Sequence, residues 1–172
     1  MTEVATPVEQ PTQELVRSLF DYKDGVLYWK VSTTNSITVG QVAGTATNDA
    51  GYKIVGIGGK TYRAHRIIFL YHHGYIPNKI DHIDNNRSNN KIENLRPATN
   101  EENSRNSKLS KRNKSGVKGV CWPRHVNKWM VQVSQGTSKK YLGLYDDLEL
   151  AELVAIEARN LFHKEYANHG KH

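Results

Sequence analysis

Apolar residues recur in short runs along the first part of the chain, and turn-forming residues separate these runs. In residues 13–20 they recur at helical spacing, which predicts a short helix. Two hairpins are predicted next, one turning at Asp24-Gly25 and one within residues 51–62, turning at a Gly-Gly pair. Residues 64–73 carry a central apolar run followed directly by glycine, which predicts a buried helix.

The pattern changes after this helix. An Asn- and Asp-rich stretch, residues 81–94, predicts a long loop, and residues 95–98 predict a short strand. Thr99 and Glu102 have the spacing of a capping box, so a helix is predicted to begin there. Residues 107–116 are rich in Ser and Lys and poor in apolar residues, which predicts a linker.

Beyond the linker, the pattern predicts three strands, over residues 118–122, 128–134 and 139–144. Acidic residues at 146–149 have the pattern of another capping box, which predicts a helix running to about Ala167. Alanines at i, i+4 and i+7 would let this helix lie close against a sheet. The predicted fold class is therefore α+β, with a small three-stranded antiparallel sheet packed on one helix at the C-terminal end.

Composition favours two small domains over one large domain. Only 37% of the 172 residues are hydrophobic, which is low for a single large core. We therefore expect a disordered N-terminus over residues 1–12, a first domain over 13–106, a linker over 107–116 and a second domain over 117–167.

The formal net charge of +7 is concentrated in two central blocks. Residues 60–114 carry twelve Lys or Arg against five Asp or Glu, and residues 118–141 carry five Lys or Arg and no acid. Clustered positive charge attracts polyanions, because binding to phosphates releases condensed counterions. On charge alone, a nucleic-acid partner and a basic protein without such a partner are equally supported.

Composition also disfavours several classes of protein. The chain has one cysteine, Cys121, so neither an intrachain disulfide nor a zinc site built on paired Cys-x-x-Cys motifs is expected. No apolar run approaches the roughly 20 residues that span a membrane. The polar N-terminus does not have the pattern of a signal peptide. We expect a soluble cytoplasmic protein that is not secreted and has no membrane partner.

Four polar residues of the central block stand out: Asp81, His82, Asn94 and Asn103. A strand, loop, strand and helix in this order can fold back so that a strand end and a helix start face each other. A carboxylate and an amide oxygen there would suit Mg²⁺, and a neighbouring histidine could deprotonate an attacking water. Alternatively, Asp81 and Asn103 serve turn and cap geometry, which both residue types favour.

The segment HRIIFLYHHGYIPNKIDHIDNNRSNNKIENLRPATNEENSRN, within about residues 62–106, resembles the HNH endonucleases of phage and intron origin, the homing type. Residues 19–62 resemble the N-terminal extension that is usual in these proteins. The resemblance implies a ββα-metal fold preceded by a β-hairpin extension. It also implies that a phage-encoded protein of this kind would act in the cytoplasm of a bacterial host.

The resemblance assigns a role to each of the four residues. Asp81 and Asn103 would hold one divalent metal, with Mg²⁺ favoured and Mn²⁺ as the alternative, and His82 would be the general base. Asn94 would orient His82 or brace the motif through backbone hydrogen bonds. Basic side chains near the motif are candidate DNA contacts: Arg96, Arg105 and Lys108.

The segments KGVCWPRHVNKWMVQV and KKYLGLYDDLELAELVAIEAR, within about residues 115–167, resemble the plant ethylene-response-factor (Apetala-type) DNA-binding domain. The resemblance implies a three-stranded sheet that enters the major groove, with a helix packed behind it. The chain has fewer arginines than the plant pattern, and lysine makes fewer bidentate guanine contacts. Trp122 serves equally well as a core residue. The residues expected to contact DNA are Lys118, Trp122, Arg124, Lys128, Gln132, Ser134, Lys139 and Tyr141.

Together these features predict a metal-dependent endonuclease that hydrolyses phosphodiester bonds in double-stranded DNA and carries a C-terminal DNA-recognition domain. The alternative is a DNA-binding regulator with an inactive nuclease module. A monomer with one active site would nick, whereas a double-strand break would need a homodimer or two visits. Deleting residues 117–172 is expected to leave the hydrolytic machinery whole, because all four site residues precede the linker.

Overall fold

The computed structural model describes residues 10–136 and 138–170, and most of the predicted disordered segment 1–12 lies outside them. The described chain divides into two compact units, one ending at Pro97 and the other beginning at Ala98. Each unit has its own buried apolar cluster. The boundary therefore precedes the predicted linker over residues 107–116.

The first unit opens with helix α1 (Gln13–Leu19) and a hairpin of strands β1 (Phe20–Lys23) and β2 (Val26–Trp29). The predicted turn at Asp24-Gly25 is confirmed. Both of its residues have positive φ, 47° and 83°, as a two-residue hairpin turn of type I′ requires. Strand β3 (Val42–Ala43) pairs antiparallel with β2 and completes a three-stranded sheet.

A second hairpin and one helix complete the scaffold of the first unit. Strands β4 (Ile54–Ile57) and β5 (Lys60–Arg63) turn at the predicted Gly-Gly pair, and helix α2 (Ala64–His73) follows directly. Gly74 ends α2 with φ 78°, a left-handed conformation that favours glycine. Residues 67–70 of α2 are buried in the main apolar cluster, which confirms the predicted buried helix.

The polar segment after α2 contains a short hairpin. Strands β6 (Ile80–His82) and β7 (Leu95–Pro97) pair antiparallel, and a 3-10 turn over Ile92–Asn94 leads into β7. The predicted loop over residues 81–94 therefore begins within a strand and ends in a helical turn. The prediction missed this because polar residues occupy strand positions that are buried.

The second unit begins with helix α3 (Asn100–Arg105), and its predicted capping box is present. The predicted linker that follows is folded onto this unit. The Asn113 Nδ2 and Ser115 Oγ groups donate hydrogen bonds to the carbonyl oxygens of Val117 and Val120, over 2.7–3.2 Å. These bonds tie residues 107–116 to the start of the sheet, which composition alone did not indicate.

Strands β8 (Val120–Cys121), β9 (Trp129–Gln135) and β10 (Ser138–Tyr145) form an antiparallel sheet in the order β10-β9-β8. The predicted three strands are confirmed, although β8 is shorter than expected. Helix α4 (Leu148–His163) packs on β9. The predicted helix thus ends earlier than Ala167.

The start of α4 differs from the prediction by one residue. Asp147 is the N-cap, and its side chain accepts a hydrogen bond from the Leu150 N–H at 2.9 Å. The expected box over residues 146–149 is therefore wrong, since it places the cap one residue too early. The small residues that face the sheet are confirmed, because Ala151 and Ala155 are fully buried. Among the described residues, no helix is long and apolar enough to cross a membrane.

Candidate active site and nucleic-acid interface

Asp81 lies in the middle of β6, directly opposite Arg96 in the register of the β6–β7 hairpin. The Arg96 guanidinium donates to the Asp81 Oδ2 atom through Nε at 3.0 Å and through Nη2 at 2.9 Å. Asp81 is 4% exposed, so this is a buried, charge-assisted pair. Arg96 was also predicted to contact DNA, and this stays a prediction beside its observed pairing with Asp81.

His82 is the last residue of β6 and is also buried. Its Nε2 atom lies 3.0 Å from the Asn90 Oδ1 atom. Its ring meets the His65 ring edge-on, with 5.0 Å between centroids, and lies 6.1 Å from the Tyr52 ring. An amide oxygen and two rings therefore hold the His82 imidazole in one orientation.

His65, the second residue of α2, packs against the His82 imidazole and is uncharged at neutral pH. Burial lowers the pKa of His65 to about 3, and the charges of His82, Arg63 and Arg66 act in the same direction. At neutral pH the ring is therefore uncharged. It can pack against His82 without placing a positive charge beside it.

Asn94 closes the loop between the two strands. Its Nδ2 group donates to the Asp84 Oδ1 atom at 2.9 Å and to the Asn89 carbonyl oxygen at 2.8 Å, while its Oδ1 atom accepts from the Asp84 N–H at 3.1 Å. Burial raises the pKa of Asp84, but hydrogen bonds from Asn89, Asn86 and Asn94 outweigh this effect and lower it overall. Asn94 thus braces the loop, one of its two predicted roles.

Asn103 belongs to the second unit, where it lies half-buried within α3. Contacts from farther along the chain hold the end of this helix. The Lys118 ammonium donates to the carbonyl oxygens of Arg105 and Ser107, at 2.7 Å and 2.6 Å. The Asn168 Nδ2 group donates to the Asn106 carbonyl oxygen at 3.1 Å. The support of Asn103 therefore includes residues beyond the predicted linker.

The available metal donors are hard oxygen atoms. No group of three or more His, Cys, Asp or Glu side chains suited to a metal is present among residues 10–136 and 138–170. A carboxylate from Asp81 and an amide oxygen from Asn103 fit Mg²⁺, which takes few protein ligands and keeps several waters. They do not fit a zinc site closed by four protein ligands.

Comparison with known proteins identifies the family. A family model described as HNH endonuclease matches residues 62–105, a segment that includes all four predicted site residues. "Protein 3.8" of Escherichia phage T7 is 34% identical over 110 residues, which are 63% of this chain and 90% of the phage protein. The chain belongs to the HNH endonuclease family. No solved structure matches it.

The second unit of this HNH protein presents a polar sheet face. In the β9–β10 register Lys139 is opposite Ser134 and Tyr141 is opposite Gln132, so four of the predicted DNA contacts form two cross-strand pairs. Tyr141 is 55% exposed. The match to the HNH family model ends at residue 105, before the sheet of this unit begins, so the ethylene-response-factor resemblance stays a prediction.

The remaining predicted DNA contacts differ in their surroundings. Trp122 is 45% exposed and packs edge-on against Trp129, with 4.8 Å between ring centroids. Lys128 forms an exposed ion pair with Asp146 at 3.0 Å. Lys118 is turned toward backbone carbonyls. Arg124 and Lys108 are exposed, and Arg105 pairs with Glu101 at 3.2 Å on α3.

Sequence reasoning missed two residues that touch His82. Asn90 is only 2% exposed, yet it lies within a polar run that predicted a long loop. His65 was predicted only as part of the buried helix over residues 64–73. The sequence contained a signal in both cases. His65 begins a buried helix, and Asn90 is one of two successive asparagines in a loop. Buried polar side chains of this kind need hydrogen-bonding or ring partners.

Proposed function

We propose that this HNH protein is a metal-dependent endonuclease that hydrolyses phosphodiester bonds in DNA. The observation that carries the proposal is the buried His82, whose ring is held by Asn90 and which follows the buried Asp81 in β6. Buried polar groups fixed in one geometry are typical of preorganised sites. Family membership supports nuclease chemistry in general, and the roles below are our inference.

His82 is proposed as the general base. The Asn90 Oδ1 atom is an acceptor, so the hydrogen bond between them requires the proton on the His82 Nε2 atom. The neutral ring then has its basic lone pair on Nδ1, and this atom would take the proton of the attacking water. The products would be a 5′ phosphate and a 3′ hydroxyl.

Asp81 and Asn103 are proposed to hold one divalent metal, Mg²⁺ or Mn²⁺. The support is their chemistry as oxygen donors and their positions within the segment matched by the family model. When bound, the metal would supply charge stabilisation to the scissile phosphate and to the departing 3′ oxygen. Arg96 would hold the Asp81 carboxylate in place, since it donates two hydrogen bonds to one of its oxygens.

The second unit is proposed to bind DNA through the polar face of its sheet, as an ethylene-response-factor-like domain. The support is the cross-strand pairing of Lys139 with Ser134 and of Tyr141 with Gln132, together with the absence of acids from the sequence of residues 118–141. With few arginines on this face, we expect phosphate contacts to contribute more to binding than base contacts.

The proposal is tested by incubating the purified full-length protein with supercoiled plasmid and Mg²⁺ or Mn²⁺. We expect nicked or linear DNA with the metal and intact plasmid in chelator, while the circular dichroism spectrum stays the same. Loss of folded structure in chelator would contradict a purely catalytic metal. Intact plasmid with both metals, despite measurable DNA binding, would favour the alternative of a regulator with an inactive nuclease module.

A further inference from the structure

The second unit contains a small cavity whose lining is rich in cationic side chains. Its volume is about 200 Å³. Four residues of the lining come from the sheet, two precede it and two lie on α4. Those with polar side chains are Gln132, Ser134 and Lys139, then Lys118, and finally Arg159 and His163. No acidic residue belongs to the lining.

Arg159 is the principal feature of this cavity. It lies on α4 and is only 2% exposed, and arginine is rarely buried so fully. Its Nη1 group donates to the Lys118 carbonyl oxygen and its Nε group donates to the His169 Nδ1 atom at 3.2 Å. The buried Nη2 group has no hydrogen-bond partner among the described residues. A buried, unsatisfied donor on a cation is costly unless a ligand satisfies it.

His163, one turn farther along α4, also has a buried nitrogen atom without a hydrogen-bond partner among the described residues. Its Nε2 group donates to the Ser134 carbonyl oxygen at 2.7 Å, while the buried Nδ1 atom has no partner within the described chain. Burial lowers the pKa of His163, the Ser134 hydrogen bond opposes this, and the charges of Arg105, Lys118 and Arg159 lower it further. An anion in the cavity would favour the protonated ring, whose Nδ1–H could then donate.

The surrounding charges show that the cavity is positive. Burial and the nearby Arg159 lower the pKa of Lys118 to about 8. Burial also lowers the pKa of Arg159, and the charge of Glu152 only partly opposes this. The pKa of a lysine or arginine falls in this way when it is buried close to other cations. A bound anion would offset the repulsion between these cations and accept a hydrogen bond from the Arg159 Nη2 group.

We propose that this cavity is an oxyanion site that binds a phosphate group through Arg159 and His163, with Lys139 at its rim. The phosphate could belong to the backbone of a DNA duplex or be free in solution. The DNA source rests on the function proposed above, whereas binding of free phosphate does not. A planar guanidinium with an unsatisfied N–H matches the geometry of phosphate oxygens.

Lys139 and Lys140 provide a matched pair of variants. Both are exposed residues of β10, but Lys139 lines the cavity, whereas Lys140 lies over the Phe162 ring at 5.0 Å. Lys139→Gln and Lys140→Gln remove the same charge from neighbouring positions on one strand. Arg159→Lys keeps the buried charge but removes the Nη2 donor. If that variant does not fold, the Lys139 and Lys140 pair still decides the question.

The experiment titrates the full-length protein in chelator, first with inorganic phosphate and then with a DNA duplex. It follows the amide resonances of Gly119 and Ser134 and the Nε–H resonance of Arg159. We expect saturable shifts with inorganic phosphate. Lys139→Gln should weaken binding about tenfold, as expected for the loss of one charge-assisted hydrogen bond, and Lys140→Gln should leave it unchanged.

The two sources of phosphate give different results in the second titration. If duplex DNA shifts the same resonances and Lys139→Gln lowers the salt slope of binding by about 0.9, the cavity takes a backbone phosphate. If only inorganic phosphate shifts them, the site takes free phosphate. Shifts with neither probe, or equal weakening by Lys139→Gln and Lys140→Gln, would overturn the inference. Because no cleavage is measured, loss of nuclease activity cannot be mistaken for failure of this site.

Discussion

The hairpin around His82 and the cavity around Arg159 are both buried and polar, but they differ in how their hydrogen bonds and charges are satisfied. In the hairpin, Asp81 accepts two hydrogen bonds from Arg96 at one oxygen, and His82 has an amide partner. In the cavity, cations lie near one another and two buried nitrogen atoms have no partner among the described residues. The side chains of Asp81 and His82 have hydrogen-bond partners within the hairpin. In the cavity, the Arg159 Nη2 group and the His163 Nδ1 atom have none among the described residues.

This difference indicates different functions for the two regions. A site that must hold a general base in one orientation benefits from internal partners, because these fix the geometry before substrate arrives. A site that binds an anion benefits from donors that are already desolvated and unpaired. The predictions below test first His82 itself and the support of α3, and then the internal partners of the hairpin.

The largest effect is expected from His82→Ala. Loss of a general base typically slows catalysis by about 10²–10⁴-fold. DNA binding should be nearly unchanged, because the imidazole acts on the water and contributes little to the affinity for the duplex. His125→Ala, in an exposed turn of the second unit, is the control. Cleavage by His82→Ala within a few-fold of the unsubstituted protein would refute the assignment of the base.

Deletion of residues 117–172 is expected to reduce cleavage by about 10²-fold or more, since small misplacements of a catalytic group have effects of this size. The deletion removes the Lys118 and Asn168 side chains that bind the carbonyl oxygens around the end of α3. These contacts lead us to expect a loss of activity, whereas the residue pattern alone predicts that the deletion leaves the machinery whole. Plasmid cleavage measures the effect, and Lys118→Met should reproduce part of it. Full cleavage by the truncated chain would show that α3 needs no such support.

The sequence predicted the scaffold of the first unit well because its turns are local. Asp24-Gly25 and the Gly-Gly pair specify their hairpins through positive φ, and Gly74 ends α2 for the same reason. The pairing of Asp81 with Arg96 depends instead on the register between β6 and β7, which joins residues far apart in the sequence. Local patterns carry no information about such a register.

In the second unit, too, local sequence patterns predict the helix and strands but not the contacts between distant side chains. Its three strands and Ala-rich helix follow from residue pattern, and the structure confirms them. The cavity does not follow from residue pattern, because it depends on which side chains of α4 meet the end of the sheet. Arg159 and His163 have the spacing of one helical turn, yet nothing in the sequence distinguishes them from a solvated helix face. The predicted linker over residues 107–116 was misjudged for a related reason, since its polar side chains bind backbone carbonyls.

The Asp81–Arg96 pair should respond strongly to the loss of one partner. Arg96→Met leaves a buried carboxylate without its cation, which is expected to lower the free energy of unfolding by about 3 kcal/mol. Arg105→Met removes the exposed pair with Glu101 and should lower it by about 0.5 kcal/mol. Urea denaturation in chelator measures both. Mg²⁺ or Mn²⁺ should then stabilise Arg96→Met if Asp81 is a metal ligand, because a ligand that binds only the folded state raises its stability. Equal losses for the two variants would show that the hairpin pair is not effectively buried.

The smallest effect is expected at Asn90, which is proposed to position His82 without touching substrate. Asn90→Ala removes the acceptor for the His82 Nε2–H group, so the ring loses its preference for one tautomer and one orientation. We expect the rate constant for cleavage to fall about tenfold, a fraction of what misorienting a catalytic group can cost. Asn90→Asp keeps an acceptor oxygen at the same position and should restore most of the rate, although it would also favour a protonated imidazole and shift the pH profile to higher pH. A merely structural role predicts something different: both variants would change the free energy of unfolding, and neither would change the pH profile. Single-turnover cleavage over a range of pH, with urea denaturation of the same samples, separates the two roles.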